Sequence, residues 1–164
     1  MLIHWYRFAN WLYRHRIPVL PKVIWKLMYL LFNCSVPASC VINRGGKFAY
    51  GGIGVVIHAR AVIGCNCIIG QNVTIGGKSG WYEVPIIGDN VHISAGARIL
   101  GPIKIGNNVI IGANAVVVKD VPDNCVVAGI PAKIIKENIS LADFGGEKAL
   151  KYRGDSDWER TPKV

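Results

Sequence analysis

The sequence predicts an all-β parallel β-helix with a short α-helical segment in front of it, and three observations carry that reading. Aliphatic residues return at every sixth position through the middle of the chain: Ile57, Ile63, Ile69 and Ile75, then Ile87, Ile93, Ile99, Ile105, Ile111 and Val117. Small residues usually follow them, namely Gly64, Gly70, Gly76, Gly88, Ser94, Gly106 and Gly112. Two stretches, Ala49–Gly54 and Gly77–Pro85, interrupt the repeat without ending it. A helix repeats about every 3.6 residues and a strand alternates side to side, so neither alone gives a repeat of six. Short strands joined by tight corners do, about three to each turn of a solenoid. Gly suits such a corner because it accepts positive φ without steric cost. An ordinary β-sandwich would show turn signals only about every 8–12 residues.

Composition sets the limits. The 164 residues suffice for one domain with a real core, and an apolar content of 51% excludes bulk disorder. The five cysteines, Cys34, Cys40, Cys65, Cys67 and Cys125, form no CxxC pair. Cys65-Asn66-Cys67 puts two thiols at one corner, too weak a signal for zinc. Small buried hydrophobes in a reducing cytosol is the better reading, with no metal expected. Charge says more. The net charge is +9, yet no Asp or Glu occurs from Met1 to Tyr82. Arg7, Arg14, Arg16, Lys22, Lys26, Arg44, Lys47, Arg60 and Lys78 all lie in that half, and the remainder is neutral. A one-signed half favours an anionic partner: a phosphorylated cofactor, a membrane surface or an acidic glycan. Nucleic acid is not expected.

Residues 1–35 form the helical segment. Over 3–16, Trp5, Phe8, Ala9 and Leu12 fall on one helical face and Arg7, Asn10 and Arg14 on another. Ile17-Pro18 breaks the helix, and Pro21 sits where a second can start. Val23, Ile24, Leu27, Met28 and Leu31 give the second helix an apolar face, too short to span a bilayer. No signal-peptide cleavage pattern follows, so the expected location is cytoplasmic. The pair either caps the open end of the solenoid or docks on the inner face of an anionic membrane. Capping is favoured, and the two can coexist.

Residues 36–136 form the β-helix. It starts less regularly, through Ile42 and Phe48, and Ile57 follows Phe48 by nine residues instead of six. Interruptions of a solenoid are loops, and loops commonly carry the site. His58, Gly76, Ser94, Gly112 and Ile130 are each 18 residues apart. If the second interruption stands in for two sides of the coil, they stack along one corner, with His58 beside the root of the 77–85 loop. His92 precedes inward Ile93 and reads as surface; His4 and His15 lie on the first helix and need no role. Residues 137–164 read as a polar tail, helical near Glu147 to Tyr152.

Several stretches in correct order resemble serine acetyltransferase and its shorter polysaccharide O-acetyltransferase relatives. They are the hexapeptides, Gly76-Gly77-Lys78-Ser79-Gly80, Gly88-Asp89-Asn90-Val91, Ser94-Ala95-Gly96-Ala97 and Ala128-Gly129-Ile130-Pro131-Ala132-Lys133. The resemblance implies a left-handed β-helix, an exception to the usual right-handed crossover. It also implies a homotrimer with acetyl-CoA bound in clefts between subunits. For the cofactor it points to the corners at Ser94, Ala95, Gly112 and Ala113, with Lys119 and Lys133 near the phosphates.

The chemistry needs a general base for the acceptor hydroxyl and donors for the oxyanion. Here the sequence departs from the resemblance. That family carries Asp-His before Gly-Ile-Val-Ile-Gly, and these positions fall on Ala49 and Tyr50; its second His falls on Val84. His58 is the expected base, because imidazole suits proton transfer at neutral pH. Tyr50 would bind the acceptor or donate a proton, and Glu83 would orient or polarise. A serine ammonium wants a carboxylate, and only Glu83 is near, whereas Tyr50, Trp81 and Tyr82 suit a sugar. The expected acceptor is therefore a sugar hydroxyl, with serine as runner-up. A non-catalytic trimeric scaffold is a third reading. A β-helical carbonic anhydrase would need three His ligands, and the coil has only His58 and His92.

Overall fold

The computed structural model describes residues 1–140. Two helices, α1 (Leu2–Arg14) and α2 (Leu20–Phe32), precede a triangular solenoid of short parallel strands. Its first face holds β1 (Val41–Ile42), β4 (Val62–Ile63), β7 (Ile86–Ile87) and β10 (Lys104–Ile105). The second holds β2 (Lys47–Phe48), β5 (Ile68–Ile69), β8 (His92–Ile93), β11 (Ile110–Ile111), β13 (Val126–Gly129) and β14 (Ala132–Lys136). The third holds β3 (Val56–Ile57), β6 (Thr74–Gly76), β9 (Arg98–Leu100) and β12 (Val116–Val117). The chain visits the faces in that order, turn after turn, as a left-handed β-helix. The proposed helix over Glu147 to Tyr152 lies outside the described residues.

From Val55 to Val117 each side of the coil buries two side chains, one in the strand and one just before it. Besides the repeating Ile, the residue two places earlier points inward: Val55, Ala61, Cys67, Val73, Val91, Ala97, Ile103, Val109 and Ala115 are all buried. Cys67 and Cys125 occupy this small inward position, as small hydrophobes. Cys65 alone is half-exposed, so the two thiols of Cys65-Asn66-Cys67 do not share a surface. Burying each Ile contributes about 1.5–3 kcal/mol, and stacked Ile columns supply most of the core.

The corners explain the small and amide residues. Asn66, Asn72, Asn90, Asn108, Asn114 and Asn124 all have positive φ near +56° (55–58°). Asn tolerates that conformation better than most residues. At the corner between faces one and two the amides form a ladder, Asn66 to Asn90 (3.3 Å), Asn90 to Asn108 (3.1 Å) and Asn108 to Asn124 (2.8 Å). Asp89, Asp120 and Asp123 accept backbone N–H groups of adjacent coils at 2.7–2.8 Å. These polar contacts satisfy corner backbone that the strands leave unpaired.

Elements outside the repeat cover part of each end. On α1 the buried side is Leu2, Tyr6, Ala9 and Leu12. Phe8, expected inward, is instead exposed, because one face of the helix is taken by the coil and the stripe is narrower than read. Tyr6 Oη donates to the Cys40 carbonyl (2.7 Å) and accepts from Ile42 N–H (3.0 Å), and Asn10 Nδ2 donates to the Ala38 carbonyl (2.7 Å). The helix thus caps the first coil with hydrogen bonds as well as apolar surface. At the other end β14 folds back antiparallel along β13 and covers the last edge of the second face.

Candidate active site

The two outgrowths lie on different corners. The first, a 3-10 turn at Ala49–Gly52, joins faces two and three. The 77–85 loop joins faces three and one, after β6 and before β7. They flank the third face on opposite sides. The expected single column is corrected accordingly. Ile57 pairs with Ile75, which sets His58 next to Gly76, but Gly76 pairs with Leu100, not Ser94. Ser94 and Gly112 stay stacked with each other, on the corner between faces two and three, because Ile93 pairs with Ile111. The loop inserts residues at one corner; it does not replace sides of the coil.

His58 is half-buried at the start of the loop corner. Its backbone N–H donates to the Ile75 carbonyl (2.8 Å), which ties its position to the coil below. Its Nδ1 accepts the Arg60 backbone N–H at 3.2 Å. That bond places the resting proton on Nε2. The edge of the ring bearing Cδ2 and Nε2 faces the loop root: a methyl added at Gly77 would sit 3.8–3.9 Å from those atoms. Arg60, which the sequence reading passed over, fastens the loop. Its guanidinium donates to the Tyr82 carbonyl and lies 4.1 Å from the centre of the Tyr82 ring. Lys78 lies 5.9 Å from the Trp81 ring within the same loop. Val84 is buried under it, and Glu83 beside Val84 is exposed.

The other expected residues divide between the two corners. Tyr50 is 78% exposed on the first outgrowth, with a left-handed backbone (φ 50°, ψ 36°). Such a conformation is costly for a non-Gly residue and persists where its surroundings impose it. Ser94, Ala95, Gly112 and Ala113 share its corner. Lys119 lies on the loop corner, after β12, and Lys133 lies on β14 along the second face. Within one protomer, therefore, His58, Glu83 and Lys119 share an edge that Tyr50, Ser94, Ala95, Gly112 and Ala113 do not. Arg98, on the third face between them, donates to the Asn72 carbonyl and to Thr74 Oγ1 (3.0 Å). His92 is half-buried on the second face. Among the described residues no group of three or more His, Cys, Asp or Glu side chains gathers to hold a metal.

The repeated coil and its two corner outgrowths define a hexapeptide-repeat protein. Two family profiles agree: bacterial transferase hexapeptide (six repeats) over residues 85–119, and hexapeptide repeat of succinyl-transferase over 60–100. The chain is 42% identical over 132 residues to a serine acetyltransferase of Synechococcus elongatus, covering 79% of this chain and 54% of that one. It is 52% identical over 132 residues to the Staphylococcus aureus (strain Mu50) serine acetyltransferase, covering 79% and 62%. The solved Neisseria gonorrhoeae serine acetyltransferase superposes with a TM-score of 0.79 at 35% identity, over 87% of this chain and 55% of that one. A serine acetyltransferase in complex with CoA gives 0.75 at 32% identity, over 82% and 55%. The chain is thus similar to the serine acetyltransferases and, in its repeated coil, to the hexapeptide-repeat transferases. It spans little more than half the length of these relatives.

Proposed function

We propose that the protein is an acetyl-CoA-dependent O-acetyltransferase acting on a hydroxyl of a small acceptor. One observation supports this above others: the His58 ring stands at the root of an aromatic, Arg60-fastened loop on a coil similar to that of a serine acetyltransferase solved with CoA. The acceptor oxygen attacks the thioester carbonyl while His58 Nε2 takes the hydroxyl proton. The tetrahedral intermediate collapses, the C–S bond breaks, and the imidazolium returns the proton to the departing thiolate. This needs the tautomer protonated at Nδ1, which gives up the Arg60 N–H bond. The ring must turn so that two donors do not face each other, and leaving the Arg60 N–H unpaired costs about 1–3 kcal/mol. General base catalysis contributes roughly 10²–10⁴-fold, about 3–5 kcal/mol, which offsets that cost.

A homotrimer completes the reading. Tyr50 and the small-residue corners cannot share one edge with His58 in a single copy. In a threefold ring, the loop corner of one copy meets the opposite corner of the next. Each cleft then holds His58, Glu83 and Lys119 from one copy. The other supplies Tyr50 and the smooth track Ser94-Ala95, Gly112-Ala113 for the pantetheine arm, with Lys133 beyond it toward the phosphates.

The relatives favour serine as acceptor, ahead of the sugar that the residues alone suggested. Glu83 is the carboxylate available to the serine ammonium, since Asp89, Asp120 and Asp123 accept coil amides and Glu137 follows β14, away from the loop corner. The sugar reading keeps one support, the exposed rings of Tyr50, Trp81 and Tyr82. Cytoplasmic placement goes with the cosubstrate and with five free thiols. Peripheral contact with an anionic membrane is compatible with the activity and independent of it. The test is release of free CoA from acetyl-CoA with serine and then with sugar acceptors. His58→Ala should lower turnover by about 10²–10⁴-fold with acetyl-CoA binding retained. Unchanged turnover would remove His58 from the chemistry, and no CoA binding by the parent protein would favour the scaffold.

A further inference from the structure

Helix α2 has two apolar faces, and the coil uses only one. Pro21, Ile24 and Met28 are buried against the rest of the protein. About a third of a turn away run Leu20, Val23, Leu27, Leu30 and Leu31, which are 39–78% exposed. Lys22 and Lys26 flank this second stripe at helical spacing. Helix α1 adds half-exposed Phe8 and Trp11, with Trp11 packed on the His15 ring at 4.3 Å. Capping the coil accounts for none of these side chains.

We infer that the stripe on α2 docks on an anionic lipid surface, the helix lying in the plane of the interface. Charge decides the occupant. The spacing of Leu20, Val23, Leu27 and Leu30 also suits a helix–helix seam. A second copy meeting it face to face across a twofold axis, however, would bring Lys22 and Lys26 against their own kind, and no acidic residue from Met1 to Tyr82 is present to relieve them. An anionic headgroup layer relieves them directly, while the leucines enter the acyl boundary. Neither helix carries an acid in its first turn, where one would ordinarily favour the helix dipole and would here repel the lipid. Among the described residues no helix is long and apolar enough to cross a membrane, so the contact is peripheral.

The experiment is flotation of the full chain with vesicles of equimolar phosphatidylglycerol and phosphatidylcholine, against phosphatidylcholine alone, with light scattering in parallel. The protein should float with the anionic vesicles only, and less at high salt. Lys22→Gln/Lys26→Gln should lower partitioning by about 25-fold, roughly fivefold per basic residue. Leu30→Asn/Leu31→Asn should abolish it with little change in melting temperature, since these side chains are 78% and 60% exposed. Several results would overturn the inference: flotation on neither vesicle, equal flotation on both, or flotation that survives loss of the leucines. A particle mass that falls in the leucine variant would assign the stripe to a second copy instead.

Discussion

Arg60 and Glu83 decide what His58 can do. Arg60 holds the resting ring through its own N–H and the Tyr82 end of the loop through its side chain, and Glu83 next to Tyr82 is exposed. If serine is the acceptor, Glu83→Gln should raise the KM for serine about tenfold, the low end for losing an exposed charge-assisted hydrogen bond, with kcat changed less. Steady-state kinetics checks this, and an unchanged KM would remove Glu83 from acceptor binding. The approach of His58 to the loop root was legible in the sequence, because 58 and 76 are one ordinary coil apart and the loop begins only after Gly76. Arg60 was not legible. Its spacing marks it as a corner residue, and only the return of Tyr82 across the corner shows what it holds.

At the scale of elements, the reading of α1 as a cap rests on Tyr6. Its hydroxyl both donates to the coil and accepts from it, so Tyr6→Phe leaves the Cys40 carbonyl and Ile42 N–H without it. The expected loss is about 1–3 kcal/mol, seen as a lower melting temperature. Burial, the largest cause, raises the Tyr6 phenol above its usual range, helped by the neighbouring Cys40. The folded state therefore keeps a proton that the unfolded state releases above about pH 10, so this part of the stability is present below that pH and lost above it. Tyr6→Phe should show a shallower alkaline decline than the parent, and equal slopes would contradict the linkage. Burial also pushes Cys40 up to about 12 and Cys34 up to about 11, which keeps both thiols protonated. The strands and their inward Ile residues were legible because a period of six leaves few alternatives. The antiparallel β14 was not, since Ala132–Lys136 follows Gly129-Ile130-Pro131 with no repeat to betray a reversal.

For the whole molecule, the sequence concealed which edges carry the site. Ile75 to Ile87 spans twelve residues where six are usual, so the insertion preserves the hexapeptide phase while lengthening the coil from 18 to 24 residues. A period of six cannot register that change, and every column beyond Gly76 was displaced by one corner. The structure then separates His58 from Ser94 and Gly112 within one copy, and the proposed activity requires a neighbour to rejoin them. Subunit complementation tests this directly. His58→Ala removes the base on one edge, and Ala113→Trp, at an exposed position, blocks the opposite edge without entering the core. Each variant alone should be inactive. Trimers refolded from an equal mixture should regain CoA release at about a quarter of their sites, those pairing an intact edge from each copy. Mixed trimers that form but stay inactive would contradict a site built between copies.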